Sequence, residues 1–134
     1  MIDRLELRKC MSLYTSEGVL RPVYLVRLGG LDYVLKLSNC SIDWERKHHS
    51  MEVAALKLVR GIEGVTQLIQ DYGEIDFNSS AYYAILKEYF YGRDLMEYGE
   101  INSRIEIQLG KTLGELHEHG VVHVDLWPQN IVVS

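Results

Sequence analysis

Apolar and polar positions alternate through Met11 to Thr15, Val19 to Leu28 and Leu31 to Leu37, stretches rich in Val, Leu and Tyr and bounded by turn residues. Such alternation predicts strands, because side chains of a pleated chain point to opposite faces in turn. Gly29-Gly30 between the second and third is a hairpin signal, since glycine accepts the positive φ angles of a tight turn. Residues 1–10 read as a short helix or an irregular lead-in. After polar punctuation at Asn39 to Asp43 the period changes. Glu45 to Arg60 has few breakers and sets Glu52, Leu56 and Val59 at i, i+4 and i+7, which predicts a helix with one face toward the sheet, ended by Gly61. Val65 to Ile75 and Ala81 to Phe90 return to alternation and are joined by the turn-forming Asp76 to Ser80. Residues 91–102 read as a connector with a short helical turn. From Ser103 to Glu118, Ile105, Leu109, Leu113 and Leu116 recur at helical spacing and predict an amphipathic helix. That helix leads into His123 to Asn130, a loop stiffened by Pro128 and followed by the apolar Ile131-Val132-Val133. The order of three strands, helix, two strands, helix and loop is α+β.

A chain of 134 residues with 47% hydrophobic and 25% charged positions suffices for one domain with one core. The formal charge of −5 is unevenly spread. Residues 1–60 carry ten Lys/Arg against seven Asp/Glu, and residues 61–134 carry four against twelve. The first part suits anionic phosphate and the second suits cations, while the net acidity argues against nucleic acid as a partner. Cys10 and Cys40 form no metal motif and no disulfide framework, which fits reduced thiols in the cytoplasm. The charged start and the lack of a long apolar run give the expectation of no membrane partner.

Candidate chemistry concentrates near the end of the chain. Asp125 and Asn130 can point a carboxylate and an amide oxygen into one cavity: the first orients a hydroxyl and accepts its proton, the second holds a hard cation such as Mg²⁺. The spacing H-x-D-L-x-x-x-N in His123 to Asn130 resembles the catalytic loop of the protein-kinase-like family. The resemblance implies an amino-lobe-like sheet and helix over residues 11–92, then a connector, helix and catalytic loop over 93–134, together a single minimal domain. It implies ATP and Mg²⁺ as cofactors and transfer of the γ-phosphate to a hydroxyl of a protein or small molecule. Asp125 takes the role of base and Asn130 that of metal ligand. Lys36 resembles the strand lysine on the nucleotide phosphates, and Glu52 the helix glutamate that orients it. The plainer readings are an edge-strand lysine and a solvated helix charge.

Aligning Val23 with the valine after the family's glycine-rich loop sets Ser16, Gly18 and Arg21 on its three glycine positions, of which Gly18 alone is glycine. The segment is either a phosphate-covering loop or a plain hairpin turn entered through Pro22. Leu86 to Leu95 resembles the strand and hinge of the family, implying that the Glu88 carbonyl and Phe90 amide face the base. Asp94 then lies at the ribose, with Val23, Val34 and Val132 around the ring; an apolar strand ending at a glycine turn is the alternative. Lys87 departs from the pattern, standing at the back of the pocket where an uncharged residue is usual. His123 is expected to hold backbone, and His48, His49, His117 and His119 to be surface or helix-end residues.

Two further departures concern regulation and acceptor. Val124 replaces the arginine that engages a phosphorylated activation segment, and Trp127 replaces the lysine common beside the transferred phosphate in Ser/Thr kinases. Ser134 comes before the D-F-G aspartate of the family. A catalytically impaired nucleotide- or partner-binding module is therefore the alternative to an active kinase. The apolar faces of a half-built second lobe lead to the expectation of a homo-oligomer or a completing partner chain.

Overall fold

In a computed structural model the described residues are 4–16, 19–94, 99, 102–120 and 132–133. They pack as two compact units, one of Met1–Lys57 and Gln67–Tyr89, the other of Leu58–Thr66 and Phe90–Ser134.

The first unit is built on a five-stranded antiparallel sheet in the order β1-β2-β3-β5-β4. Its strands are β1 (Glu6–Ser16), β2 (Val19–Leu28), β3 (Leu31–Asn39), β4 (Leu68–Phe77) and β5 (Ser80–Glu88). The Gly29-Gly30 turn has φ of 59° and 82°, the left-handed pair that the twist of a two-residue hairpin requires. Asn78 and Ser79 make the equivalent turn between β4 and β5 with φ of 48° and 66°. One expectation is corrected: Glu6 to Cys10 form neither a helix nor an irregular lead-in but the first half of β1, pairing Glu6 with Arg27 and Cys10 with Tyr24. The charges at Glu6, Arg8 and Lys9 conceal a strand at the sheet edge, where polar side chains face water and discourage further pairing.

Register sorts the sheet into two faces. Leu35 lies opposite both Tyr24 and Leu86, and Leu37 opposite Ala84. Val26, Leu35, Leu37, Ala84 and Leu86 are buried together on that face, with Tyr24, Phe77 and Tyr82 packed against them. The other face carries Val23 opposite Lys36, Lys36 opposite Ile85, Val34 opposite Lys87 and Ser38 opposite Tyr83. Helix α1 (Asp43–Leu58) covers this second face, with His49, Val53 and Leu56 buried. Asp43 and Glu45 in its first turn suit the positive end of the helix dipole. The helix ends two residues before the expected Arg60. Val59 follows in a turn and is buried all the same.

In the second unit, α2 runs over Ser103–Glu118, as the apolar spacing predicts. Asn102 caps it, its side-chain oxygen accepting the Ile105 N–H at 3.0 Å. Leu116 is buried, and Ile105, Leu109 and Leu113 are half-buried. Two short strands, β6 (Arg93–Asp94) and β7 (Val132–Val133), pair antiparallel and join Asp94 to Val132 in register. The expected helical turn within 91–102 and the whole loop from His123 to Asn130 lie outside the described residues.

Candidate functional site

Lys36 stands on β3, the middle strand of the sheet, so the plainer reading of it as an edge-strand lysine is corrected. The alternation of β3 turns its side chain to the face under α1. Glu52 comes down from α1 onto the same face, and its Oε1 accepts a hydrogen bond from Lys36 Nζ at 2.6 Å. Glu52 is therefore no solvated helix charge. Lys87 enters from β5: its Nζ donates to Glu52 Oε2 at 2.9 Å. Lys36 pairs with Ile85, so Lys87 is its diagonal neighbour on the adjacent strand. Diagonal neighbours lie roughly 7–8 Å apart, within reach of long side chains.

Each member of this trio keeps less than a fifth of its side chain exposed, at 17%, 18% and 18% for Lys36, Glu52 and Lys87. Burial alone would raise the Glu52 carboxyl, but the charges of Lys87 and Lys36, with the hydrogen bonds both donate, outweigh it and hold it at about 2. The carboxylate is fully ionised near neutrality, and two ammonium groups against one carboxylate leave one positive charge. Those donors fit an anionic group such as a phosphate.

His49 lies one turn before Glu52. It is buried, not a surface residue as expected, and its ring stacks on Tyr83 with centroids 4.8 Å apart. Burial pushes its imidazole below the usual range, against the opposing charges of Asp71 and Glu52 and with the help of Lys36. His48, His117 and His119 are exposed as expected.

No family model matches the chain. It is 27% identical over 127 residues to the serine/threonine-protein kinase greatwall of Mus musculus and 25% identical to that of Homo sapiens, in each case over 89% of this chain. The match spans 14% of the length of either relative. Among solved structures, Rad53 1–466 in complex with AMP-PNP superposes with a TM-score of 0.73 at 19% identity, covering 97% of this chain and 35% of that one. The chain is protein-kinase-like. Its sheet and α1 correspond to the amino lobe of that fold.

Within this kinase-like chain the first unit brings Lys36, Glu52, Lys87, Val23 and Val34 to one sheet face, the two valines half-buried. Glu88 closes β5, where its N–H donates to the Gln67 carbonyl at 2.9 Å. Phe90, Asp94 and Val132 belong to the second unit, Phe90 exposed and the other two paired through β6 and β7. Gly18, Asp125 and Asn130 lie outside the described residues. Among the described residues no cluster of three His, Cys, Asp or Glu is set to hold a metal.

Sequence reasoning flagged Lys87 as a departure but did not find its partner. The signal was available in part: Lys87 shares a face of β5 with Ile85, and a lysine inside an otherwise buried strand needs a counter-charge. His49 was missed although its spacing, three residues before Glu52 and seven before Leu56, already sets it on the same helix face.

Proposed function

We propose that this chain carries the nucleotide-gripping face and the catalytic loop of an ATP-dependent phosphotransferase, acting on a hydroxyl of a protein or small molecule. The observation that carries the reading is the 2.6 Å contact of Lys36 Nζ with Glu52 Oε1 on a half-buried face of a kinase-like sheet. Glu52 holds the Lys36 ammonium in place, and Lys36 meets the phosphates. Val23 and Val34 offer apolar surface to the base. From the sequence resemblance, the Glu88 carbonyl and Phe90 amide address the base edge, Gly18 the phosphates, Asp94 the ribose and Val132 the ring.

Asp125 orients the acceptor hydroxyl and takes its proton as the oxygen bonds to the γ-phosphorus and the diphosphate oxygen leaves. A general base so placed is worth roughly 10²–10⁴ in rate. Asn130 and the nucleotide oxygens would hold Mg²⁺, which neutralises charge on the phosphates. The assignment to the cytoplasm follows from the two cysteines alone; the Cys40 thiol is free and pushed up by burial and by Glu74.

The second reading is a catalytically impaired nucleotide- or partner-binding module, which the Lys36–Glu52–Lys87 trio serves equally well. The deciding experiment is phosphate transfer from ATP with Mg²⁺, as autophosphorylation and onto added acceptors, with nucleotide binding recorded in the same samples. Transfer by the wild type and its loss in Asp125→Ala and Lys36→Ala are the expected results. Binding without transfer makes the module reading correct. A homo-oligomer or completing partner chain is proposed from the apolar side of α2, where Ile105, Leu109 and Leu113 are half-buried. A strictly monomeric chain in sedimentation over a wide concentration range contradicts self-association.

A further inference from the structure

The Lys36–Glu52 pair resembles the family's arrangement, but the third member of the trio does not. Glu52 reaches the sheet on a flexible side chain whose carboxylate can rotate. With Lys36 as its one partner, either oxygen could face the ammonium. Here both oxygens are committed, Oε1 to Lys36 at 2.6 Å and Oε2 to Lys87 at 2.9 Å. The two ammonium groups come from adjacent strands β3 and β5, which are locked in register by Lys36 opposite Ile85 and Val34 opposite Lys87. The plane of the carboxylate is thereby fixed against the rigid part of the sheet. A second effect is charge. With Lys87 the trio carries one positive charge, and without it the remaining pair is neutral.

We propose that Lys87 is a positioning residue: it clamps Glu52 Oε2 so that Oε1 is presented to Lys36, and it supplies the surplus positive charge that draws phosphate to Lys36. This rests on the reading of the face as a nucleotide site. Lys87 itself need not touch the nucleotide. The groups that set the charge around Glu52 are Lys36 on β3, Lys87 on β5 and His49 on its own helix, with Asp71 on β4 acting on His49. Lys87 is the strongest of the influences that lower the Glu52 carboxyl, so its removal has a direct signature.

The test uses the full chain as wild type, Lys87→Met and Lys87→Arg. Two quantities are read: ATP affinity by calorimetry, and the Glu52 side-chain carboxyl by ¹³C NMR between pH 3 and 7, assigned by its loss in Glu52→Gln. In the wild type the Glu52 signal stays that of a carboxylate across the range. In Lys87→Met an inflection enters it and ATP affinity falls about tenfold, the scale of one lost charge-assisted contact. Lys87→Arg restores both, because a guanidinium still offers the carboxylate donors and charge. A purely structural role for Lys87 would shift the carboxyl but leave ATP affinity unchanged in the folded variant, so an affinity of Lys87→Met equal to that of the wild type overturns the proposal. An unshifted Glu52 titration in Lys87→Met overturns the proposal. If the wild type binds no ATP, the nucleotide reading fails, and the carboxyl profile still decides whether Lys87 holds Glu52.

Discussion

Replacing Glu52 by glutamine removes one charge while keeping the shape of the side chain, and it leaves Lys36 and Lys87 facing each other on one half-buried sheet face. The cost can be worked from the carboxyl itself. It is held at about 2 in the fold against 4.5 ordinarily, a difference worth about 3 kcal/mol of folding stability. The value is depressed, so the stabilisation is fully present above about pH 4.5 and is lost as pH falls toward 2. At pH 7, Glu52→Gln is therefore expected to lose about 3 kcal/mol, and at pH 3 about 1 kcal/mol, since most of the wild-type advantage has gone by then. Urea denaturation followed by circular dichroism at the two pH values measures both, with equal m-values as the check that the unfolded state is unchanged. A loss under about 0.5 kcal/mol at pH 7, the level of a surface substitution, would refute the reasoning, as would a loss that is the same at both pH values.

His49 is expected to make the chain less stable as pH falls below the ordinary imidazole value of 6.5, because its depressed value means the unfolded state takes the proton first. His49→Phe keeps a ring on Tyr83 and should flatten that part of a melting-temperature profile. Gly64 has φ of 87°, and a Cβ there would lie 3.1 Å from Thr112 Oγ1. Gly64→Ala should cost about 1–2 kcal/mol in thermal or urea unfolding. Asn102→Ala removes the acceptor for the Ile105 N–H and should cost about 1 kcal/mol, with faster hydrogen exchange confined to the first turn of α2.

Much of this arrangement was legible in the residues. Leu31 to Leu37 alternates because one face of β3 enters the core at Leu35 and Leu37 while the other carries Lys36, and Ser103 to Glu118 keeps its period because one side of α2 is apolar and the other is not. The Lys36 and Glu52 pairing was legible because a face can be counted along a strand and along a helix. Register between strands cannot be counted in that way. It depends on packing across the sheet, so the diagonal placement of Lys87 beside Lys36 became visible only with β3 and β5 paired. The beginning of β1 was hidden by its charges, and the two-residue strands β6 and β7 are too short to show any period. Val59 shows the converse: it was assigned to the helix face, lies in the turn beyond it and is still buried, since burial is decided by the neighbours and not by the helix.

The most direct test of the central claim, that the Lys36–Glu52 pair grips nucleotide phosphate, is to follow the Lys36 side-chain ammonium by ¹⁵N NMR while ATP is added. The pair as placed here predicts a saturable shift of that signal, with weaker binding in Glu52→Gln and none resolved in Lys36→Met. A Lys36 signal that does not move while ATP binds, or an unchanged affinity in Lys36→Met, would contradict it.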